Sequence, residues 1–553
     1  MLNTAYWLNT AWMATCAAEA RRFDRATMRV GTEQERLLNC IVRANRDCWY
    51  GKQFDFAKLR SVEDFQRAVP VCRYDDLRSP LERIASGEGR VLTGRPVTLF
   101  EPTGGTAGGE KLIPYTHALR RQFQRAVSTW VYDVMKYIPA VRQGPAYWSI
   151  SPPPLRAKRT SGGIPIGFQE DRDYLASWQR WTVAQLLVAP PILRTMSHIE
   201  NARYLTLLAM LAEPRLALIS VWSPTFLTTL LEDLPRYSPR LCDDLHDGKV
   251  RLPRTDGEVD VSQVRIARNM ERADALRGLT VDADDPGGWL PSVWPQLALV
   301  SCWADASSAT FVPRLRQLLP HARIQPKGLL ATEGIVSFPL TAAGGCVLAV
   351  RSHFFEFLEV DEYEETKVSA APRLAEQLET NRRYRVILTT GGGLYRYDIG
   401  DVIEVVGQYR QCPIVRFIGR TALVSDLVGE KLHETHVRES IERACRDCRI
   451  SAVFAMLAPV MNHSPGYCLY LEAEHPLDSE RSLALEQQLD ELLSINPQYR
   501  IAVESRQLLP VTVRLTRKGA AQRYQQRRME QGQRLGDIKF MALDGKADWS
   551  GLE

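Results

Sequence analysis

Four glycines, two threonines and a lysine fall within nine residues, Thr103-Gly104-Gly105-Thr106-Ala107-Gly108-Gly109-Glu110-Lys111. Upstream, residues 95–100 alternate and read as a strand. Downstream, past Pro114, Thr116 is placed to cap a helix whose apolar stripe is Leu119, Phe123, Val127, Trp130 and Val134. The pattern predicts a strand, a glycine-rich turn and a helix. Such a turn lets backbone N–H groups approach an anion closely, while hydroxyls add donors and the lysine adds charge, so it suits phosphate. It is not the P-loop of nucleotide triphosphatases: Glu110 stands where that motif needs lysine, and Leu112 where it needs a hydroxyl. A plain surface loop is the alternative that this stretch alone leaves open.

A chain of 553 residues has room for more than one domain. Lys and Arg total 70 against 65 Asp and Glu, and the resulting +5 is spread along the chain, which argues against a nucleic-acid partner. The longest apolar run, 204–222, is broken by Glu213, Pro214 and Arg215, so no membrane span is expected. The N-terminus has no basic stretch before its apolar part and reads as an amphipathic helix, not a signal peptide. Eleven cysteines are scattered, and Cys445 and Cys448 form a single CxxC inside a helical pattern with no second pair nearby. Reduced thiols without structural zinc, and a cytoplasmic protein, are the expectation.

Along the chain, residues 1–60 read as mostly helical, and 144–151 as a strand followed by loops at 152–154 and 161–167. A helix and a buried strand are expected within 200–222, the strand at 216–221. Residues 297–301, a helix marked by Phe311, Leu315, Leu318 and Leu319, and a strand from 323 form a strand–helix–strand unit, which implies a parallel sheet. Between 347 and 418 short strands follow at close spacing, as in an antiparallel or barrel-like subdomain. Beyond Arg420 the pattern changes to a small α+β unit. The fold class is therefore mixed α/β, with a large unit at 1–419 and a smaller one at 420–553.

Three more motifs line up behind the glycine-rich turn: Lys327-Gly328-Leu329-Leu330-Ala331-Thr332-Glu333-Gly334; Gly393-Leu394-Tyr395-Arg396-Tyr397-Asp398-Ile399-Gly400-Asp401; and Phe417-Ile418-Gly419-Arg420, followed by Gly429-Glu430-Lys431-Leu432. In that order they resemble the adenylate-forming superfamily. Within it the chain is most similar to the auxin-responsive acyl acid amido synthetases in their bacterial form. The phrases that carry this are EPTGGTAGGEKLIPYT, SGGIPIGFQEDRDYL, SVWSPTFL, SCWADASS, KGLLATEG, FFEFLEV, GLYRYDIGD, GEKL and the closing Gln531-Gly532-Gln533-Arg534-Leu535-Gly536-Asp537-Ile538-Lys539. The resemblance implies a large N-terminal domain with two sheets and a β-barrel-like part, and a mobile C-terminal cap.

It also implies a reaction in two halves. A carboxylic acid and ATP give an acyl-adenylate and pyrophosphate; an amine, commonly an amino acid, then takes the acyl group and releases AMP. By resemblance, Thr103, Gly105, Thr106 and Gly108 hold phosphate, with Lys111 reaching the same oxygens. Thr332 contacts the α-phosphate and Glu333 binds Mg²⁺. Asp401 accepts from the ribose hydroxyls, and Arg420 sits at the hinge. Lys539 is the candidate catalytic lysine and Lys518 its rival. Gly104 and Ala107 stand where the superfamily usually carries hydroxyls, so two side-chain donors are missing. Phe354 and Phe355 are candidates for adenine contact. Trp148, Ile164, Phe226 and Trp303 are candidates for the acyl pocket, because aromatic walls suit an apolar or aryl acid. His353 reads either as a base or, more simply, as a histidine satisfied within a strand. A CoA or carrier-protein ligase, and a non-catalytic binding protein keeping the fold, share the same motifs.

Overall fold

The computed structural model describes residues 3–103, 111–148, 158–167, 185–190, 192–193, 196, 198–255, 261, 264, 266–279, 285–360, 371–420, 424–425, 427–428, 430–461, 465–505, 507–530, 538–545 and 549. The N-terminal stretch is helical, as expected. Helix Thr4–Ala26 starts at Asn3, whose side chain accepts from the Tyr6 N–H. Helix Val30–Asn45 buries Leu37, Leu38, Ile41 and Val42 on one face, the spacing of an amphipathic helix on a core. Arg351 ties both helices to the body through Glu19 and Glu33. Helix His117–Tyr137 is capped by Thr116, whose hydroxyl accepts from the Leu119 N–H at 3.2 Å and donates to the Gly391 carbonyl at 2.7 Å. Leu119, Phe123 and Val134 are buried along it, with Val127 and Trp130 half-buried.

The glycine-rich run does not connect a strand directly to this helix. Strand Leu99–Thr103 pairs antiparallel with Lys111–Tyr115, and the helix follows that hairpin. The apolar, β-prone residues after Lys111 extend the pairing, and Pro114 is tolerated because its strand lies at the edge of a four-stranded sheet. Residues 104–110 lie outside the described residues.

The strand–helix–strand unit is present and belongs to a four-stranded parallel sheet. Its order is Ala146–Trp148, Leu218–Ser220, Leu299–Cys302 and Arg323–Pro326. Helices Ile199–Leu211 and Val312–Leu318 lie in its crossover connections, and a core containing Tyr204, Leu230, Trp294 and Leu315 packs around the sheet. Such strands are nearly continuous apolar runs because both faces are covered.

The strands expected between 347 and 418 belong to a seven-stranded sheet. Its order is Ser337–Leu340, Gly345–Leu348, Cys412–Arg420, Tyr397–Tyr409, Arg383–Thr389, Phe354–Val360 and Arg373–Leu374. All its pairings are antiparallel, the first of the two expected forms, and none joins the first strand to the last among the described residues. Much of the motif 393–401 serves this sheet. Tyr395 donates to the Leu92 carbonyl at 2.7 Å and stacks on Tyr50. Arg396 forks onto buried Glu356 at 2.8 Å and donates to the Gln66 and Val69 carbonyls, each at 2.7 Å.

Beyond Arg420, helices Glu434–Asp447 and Ser479–Leu493 pack on a three-stranded sheet ordered Ala452–Met461, Pro465–Ala473 and Leu509–Leu515. Leu432, Ile441, Leu469, Leu485 and Leu489 form a core of their own. All eleven cysteines are free thiols. No helix among the described residues is long and apolar enough to cross a membrane.

Replacing Arg396 with methionine strands Glu356 in the core without its cation. Urea unfolding followed by circular dichroism is expected to show a loss of about 3–5 kcal/mol. Arg396→Lys should recover only part of it, because a single ammonium cannot reproduce the fork to one carboxylate and two carbonyls.

Candidate active site

Just after the last parallel strand, Leu330–Ala331 and Gly334–Ile335 pair as a short hairpin with Thr332 and Glu333 at its tip. The tip is held from both sides. Tyr115, from the strand behind the glycine-rich turn, donates its hydroxyl to the Thr332 carbonyl at 2.6 Å. On the other side His353 Nε2 accepts from the Ile335 N–H at 3.0 Å. A Cβ at Gly334 would come within 2.9 Å of that ring nitrogen, so the close approach requires glycine. Burial, with Arg125 nearby, pushes the His353 pKa down to about 3. The imidazole is therefore neutral with its proton on Nδ1, an atom without an acceptor among the described residues. It anchors the hairpin, as the satisfied-histidine alternative requires, and has no access to a substrate proton.

Strands Tyr397–Tyr409 and Cys412–Arg420 place Asp401 directly opposite Arg420, and Arg420 Nε meets Asp401 Oδ1 at 2.5 Å. The Asp401 side chain is 2% exposed while Arg420 keeps 33% of its surface, so the pair reaches the surface through the arginine side chain. Glu333 is buried beside them. Burial raises its carboxyl pKa above the usual range; Arg420 and Lys111 pull it down and Asp401 pushes it up. The Tyr397 hydroxyl is raised by burial and then by Glu333. Lys111 lies over the Tyr74 ring at 5.6 Å, and the Tyr74 hydroxyl accepts from the Leu112 N–H at 2.9 Å. Glu333, Asp401, Arg420 and Lys111, far apart in sequence, thus share one electrostatic neighbourhood.

Thr103 ends its strand directly opposite Lys111, whereas Gly105, Thr106 and Gly108 lie outside the described residues. Phe354 and Phe355 are 1% and 0% exposed. They pack in the main core against Phe65 and Phe357, on an inner strand of the sheet, and offer no open face to adenine. That expectation is corrected: the phrase FFEFLEV is core. Among the acyl-pocket candidates, Ile164 is half-buried against the main core and Phe226 against the core of the parallel sheet. Trp148 ends the first strand of the parallel sheet, and Trp303 follows the strand Leu299–Cys302. Lys539 extends its ammonium over the Trp303 ring at 4.6 Å, and its neighbour Phe540 packs on Phe311 at 4.7 Å. Lys518 is exposed in the turn before helix Ala520–Glu530.

Residues not anticipated as part of a site lie beside them. Lys327 donates to Ser220 Oγ at 2.7 Å and sits over the Trp222 ring at 5.2 Å, and Trp222 packs on Trp303 at 5.4 Å. The signal was in the chain: two neighbouring strands each end in Ser-x-Trp, at Ser220-Val221-Trp222 and Ser301-Cys302-Trp303. With period-2 alternation, each serine and tryptophan share a face. This is the carboxyl end of a parallel sheet, where open α/β folds bind ligands.

Comparison with known proteins gives the family of the chain. The chain matches the GH3 family N-terminal domain over residues 19–324, the GH3 family central domain over 346–420 and the GH3 family C-terminal domain over 435–543. It belongs to the GH3 family. It is similar to the indole-3-acetic acid-amido synthetase GH3.3 of Arabidopsis thaliana, 24% identical over 451 residues, covering 78% of this chain and 74% of that one. GH3.17 of the same plant is 25% identical over 442 residues, covering 74% and 72%. The structure of the AtGH3.15 acyl acid amido synthetase in complex with 2,4-DB superposes with a TM-score of 0.80 at 20% identity, covering 96% of this chain and 94% of that one. At this identity the superposition establishes the shared fold.

Because burial favours the uncharged form of Glu333, its ionised form costs stability as pH rises through its elevated pKa. Glu333→Gln removes that cost. Its melting temperature should exceed the parent's at pH 8, with the gain shrinking as pH falls toward 4.5, the ordinary value for the group. Scanning calorimetry across that range measures it.

Proposed function

We propose that the protein is an ATP-dependent acyl acid amido synthetase of the bacterial form of its family, acting in the cytoplasm. Residues 1–419 are the adenylating unit and 420–553 a cap hinged at Arg420. The observation that carries this is the convergence of Glu333, Asp401, Arg420 and Lys111 on one neighbourhood at the tip of the pinned hairpin. Relatives named as amido synthetases support it.

The donor set suits Mg²⁺, a hard cation that takes oxygen ligands and keeps several of its waters. Among the described residues there is no cluster of three metal-ligating side chains, so Glu333 would be the chief protein ligand beside phosphate oxygens and water. Its buried, poorly solvated carboxyl fits that task. When bound, the cation offsets charge on the triphosphate. The protein's own contribution is positioning and electrostatics. Thr103, Gly105, Thr106 and Gly108, with Lys111, hold phosphate oxygens. Thr332 donates to the α-phosphate, and Asp401 accepts from the ribose while Arg420 keeps it oriented. The acid's carboxylate oxygen attacks the α-phosphorus in line as the bond to pyrophosphate breaks, and Lys539 offsets charge developing there. In the second half the amine nitrogen attacks the acyl carbon, AMP leaves, and one proton is lost from the nitrogen. The substrates are a small carboxylic acid and an amine, most simply an amino acid, with no nucleic acid or membrane partner.

The test is acid-dependent exchange of labelled pyrophosphate into ATP. Glu333→Ala and Lys539→Ala are expected to slow it by about 10²–10³-fold, with Lys518→Ala at the parent rate. AMP release should then depend on an added amine. A CoA thioester accumulating without amine would replace amide with thioester chemistry, and silence across a broad acid panel would point to a binding protein.

A further inference from the structure

The strand that carries Asp401 is irregular where it reaches the site. Its register with strand Arg383–Thr389 pairs Ile387 with Asp398 and Arg385 with Val402, so Ile399, Gly400 and Asp401 stand against the single residue Val386. On the strand's other side Asp401 keeps its place opposite Arg420. Extra residues on one strand form a bulge, which bends the strand and re-aims the side chains within it. Side chains alternate along a strand with a period of two, so a bulge that slipped by one residue would turn Asp401 to the other face. What holds the bulge in place therefore sets what Asp401 can reach.

Asp398 holds it. Its Oδ1 accepts from the Gly400 N–H at 3.0 Å, and Gly400 takes φ 76°, a left-handed conformation that glycine adopts without strain. The Asp398 side chain is 2% exposed, and its Oδ2 lies 3.2 Å from the Nε of both Arg73 and Arg385. Arg385 is the register partner of Val402, beyond the bulge, so its ion pair to Asp398 spans the irregular segment from end to end. The main chain is fixed as well. The Asp398 N–H donates to the Cys72 carbonyl at 2.9 Å and the Cys72 N–H to the Arg396 carbonyl at 3.1 Å, which brings the neighbouring Arg73 to the carboxylate. A buried carboxylate is costly unless it is paired and hydrogen-bonded, and these partners all lie at the bulge or its rim.

Resting on the synthetase function proposed above, in which Asp401 accepts from the ribose hydroxyls, we infer that Asp398 is a positioning residue that sets selectivity for ribose over deoxyribose nucleotides. It acts through its latch on Gly400, which keeps Asp401 turned toward Arg420 and the ribose. Arg385 is the main support of that latch. Its side chain is 13% exposed, whereas that of Arg73 is 65% exposed and its charge is screened by water. A hydrogen bond depends steeply on distance and angle, while attraction between charges does not. An Asp401 set loose from the bulge would still attract a cation, but it would no longer separate a hydroxyl from a hydrogen.

The experiment uses the full chain. Calorimetry without acid measures binding of AMP, 2′-deoxyAMP and 3′-deoxyAMP, and pyrophosphate exchange is run with ATP and the matching deoxy triphosphates on the best acid of the panel. The parent should bind AMP about tenfold or more tighter than at least one deoxy form. Asp398→Ala should bring that ratio close to one by weakening AMP alone. It should raise the KM for ATP by the same factor and leave the KM for the acid unaltered. Asp398→Asn is isosteric and keeps an acceptor for the Gly400 N–H but loses the ion pairs. It should give an intermediate ratio, and it decides the matter if the alanine variant fails to fold. The parent's ratio persisting in the Asp398 variants, or AMP and its deoxy forms weakened equally, overturns the inference, as does a parent that binds all three alike. If exchange is silent but AMP binding discriminates through Asp398, the positioning role stands and the adenylation chemistry falls. If exchange proceeds with a ribose preference indifferent to Asp398, the chemistry stands and the positioning role falls. A chain that binds none of these nucleotides rejects both.

Discussion

Two carboxylates, Glu333 and Asp401, are taken out of water beside a single guanidinium, and the rest of the site is arranged around that expense. Desolvation opposes both charges, and Arg420 offsets it from a position directly across the sheet from Asp401. Such a cluster is poised electrostatically. Lys111 adds a second cation, and the cluster reaches the surface through Arg420, 33% of whose side chain is exposed. Burying Glu333 costs stability at neutral pH.

Keeping Glu333 buried depends on a short hairpin that its own two residue pairs could not hold. Two-stranded ribbons of that size are marginal by themselves. Tyr115, on a sheet strand, and His353, in the bend before strand Phe354–Val360, supply the anchors from two sides. His353 is neutral because it is buried, and a neutral imidazole can accept a backbone N–H. The lowered pKa and the structural role are therefore one fact. Arg396, Tyr395 and Glu356 do comparable work one layer away, locking the turn before Asp401.

The carboxyl edge of the parallel sheet adds a second constellation on the same body. Trp222 and Trp303, each two residues past a buried serine, carry lysines on their rings, one from the adjacent segment and one from the C-terminal unit. A tryptophan face attracts an ammonium without neutralising it. Phe540 on Phe311, and Gln525 on Thr225 at 3.1 Å, seat the C-terminal unit beside this edge.

Local pattern was enough for the helix that Thr116 caps, for the parallel strand–helix–strand unit and for the change of character after Arg420, because capping, periodicity and alternation act over a few residues. The order of the four motifs likewise pointed to Glu333, Asp401 and Arg420. Other features were not legible in it. Whether the glycine-rich turn precedes a helix or joins two strands depends on whether Lys111–Tyr115 finds a partner in Leu99–Thr103, a tertiary pairing. FFEFLEV reads equally as core or as an aromatic platform, and only its place inside the seven-stranded sheet buried it. Lys327 opened one of the motifs but was given no role, since a lone lysine carries no local signal. Its contacts arose when two neighbouring strands brought Ser220, Trp222 and Ser301 beside it. Short-range propensities are written into consecutive residues, but burial and charge coupling are properties of neighbours that the chain meets only after it has folded.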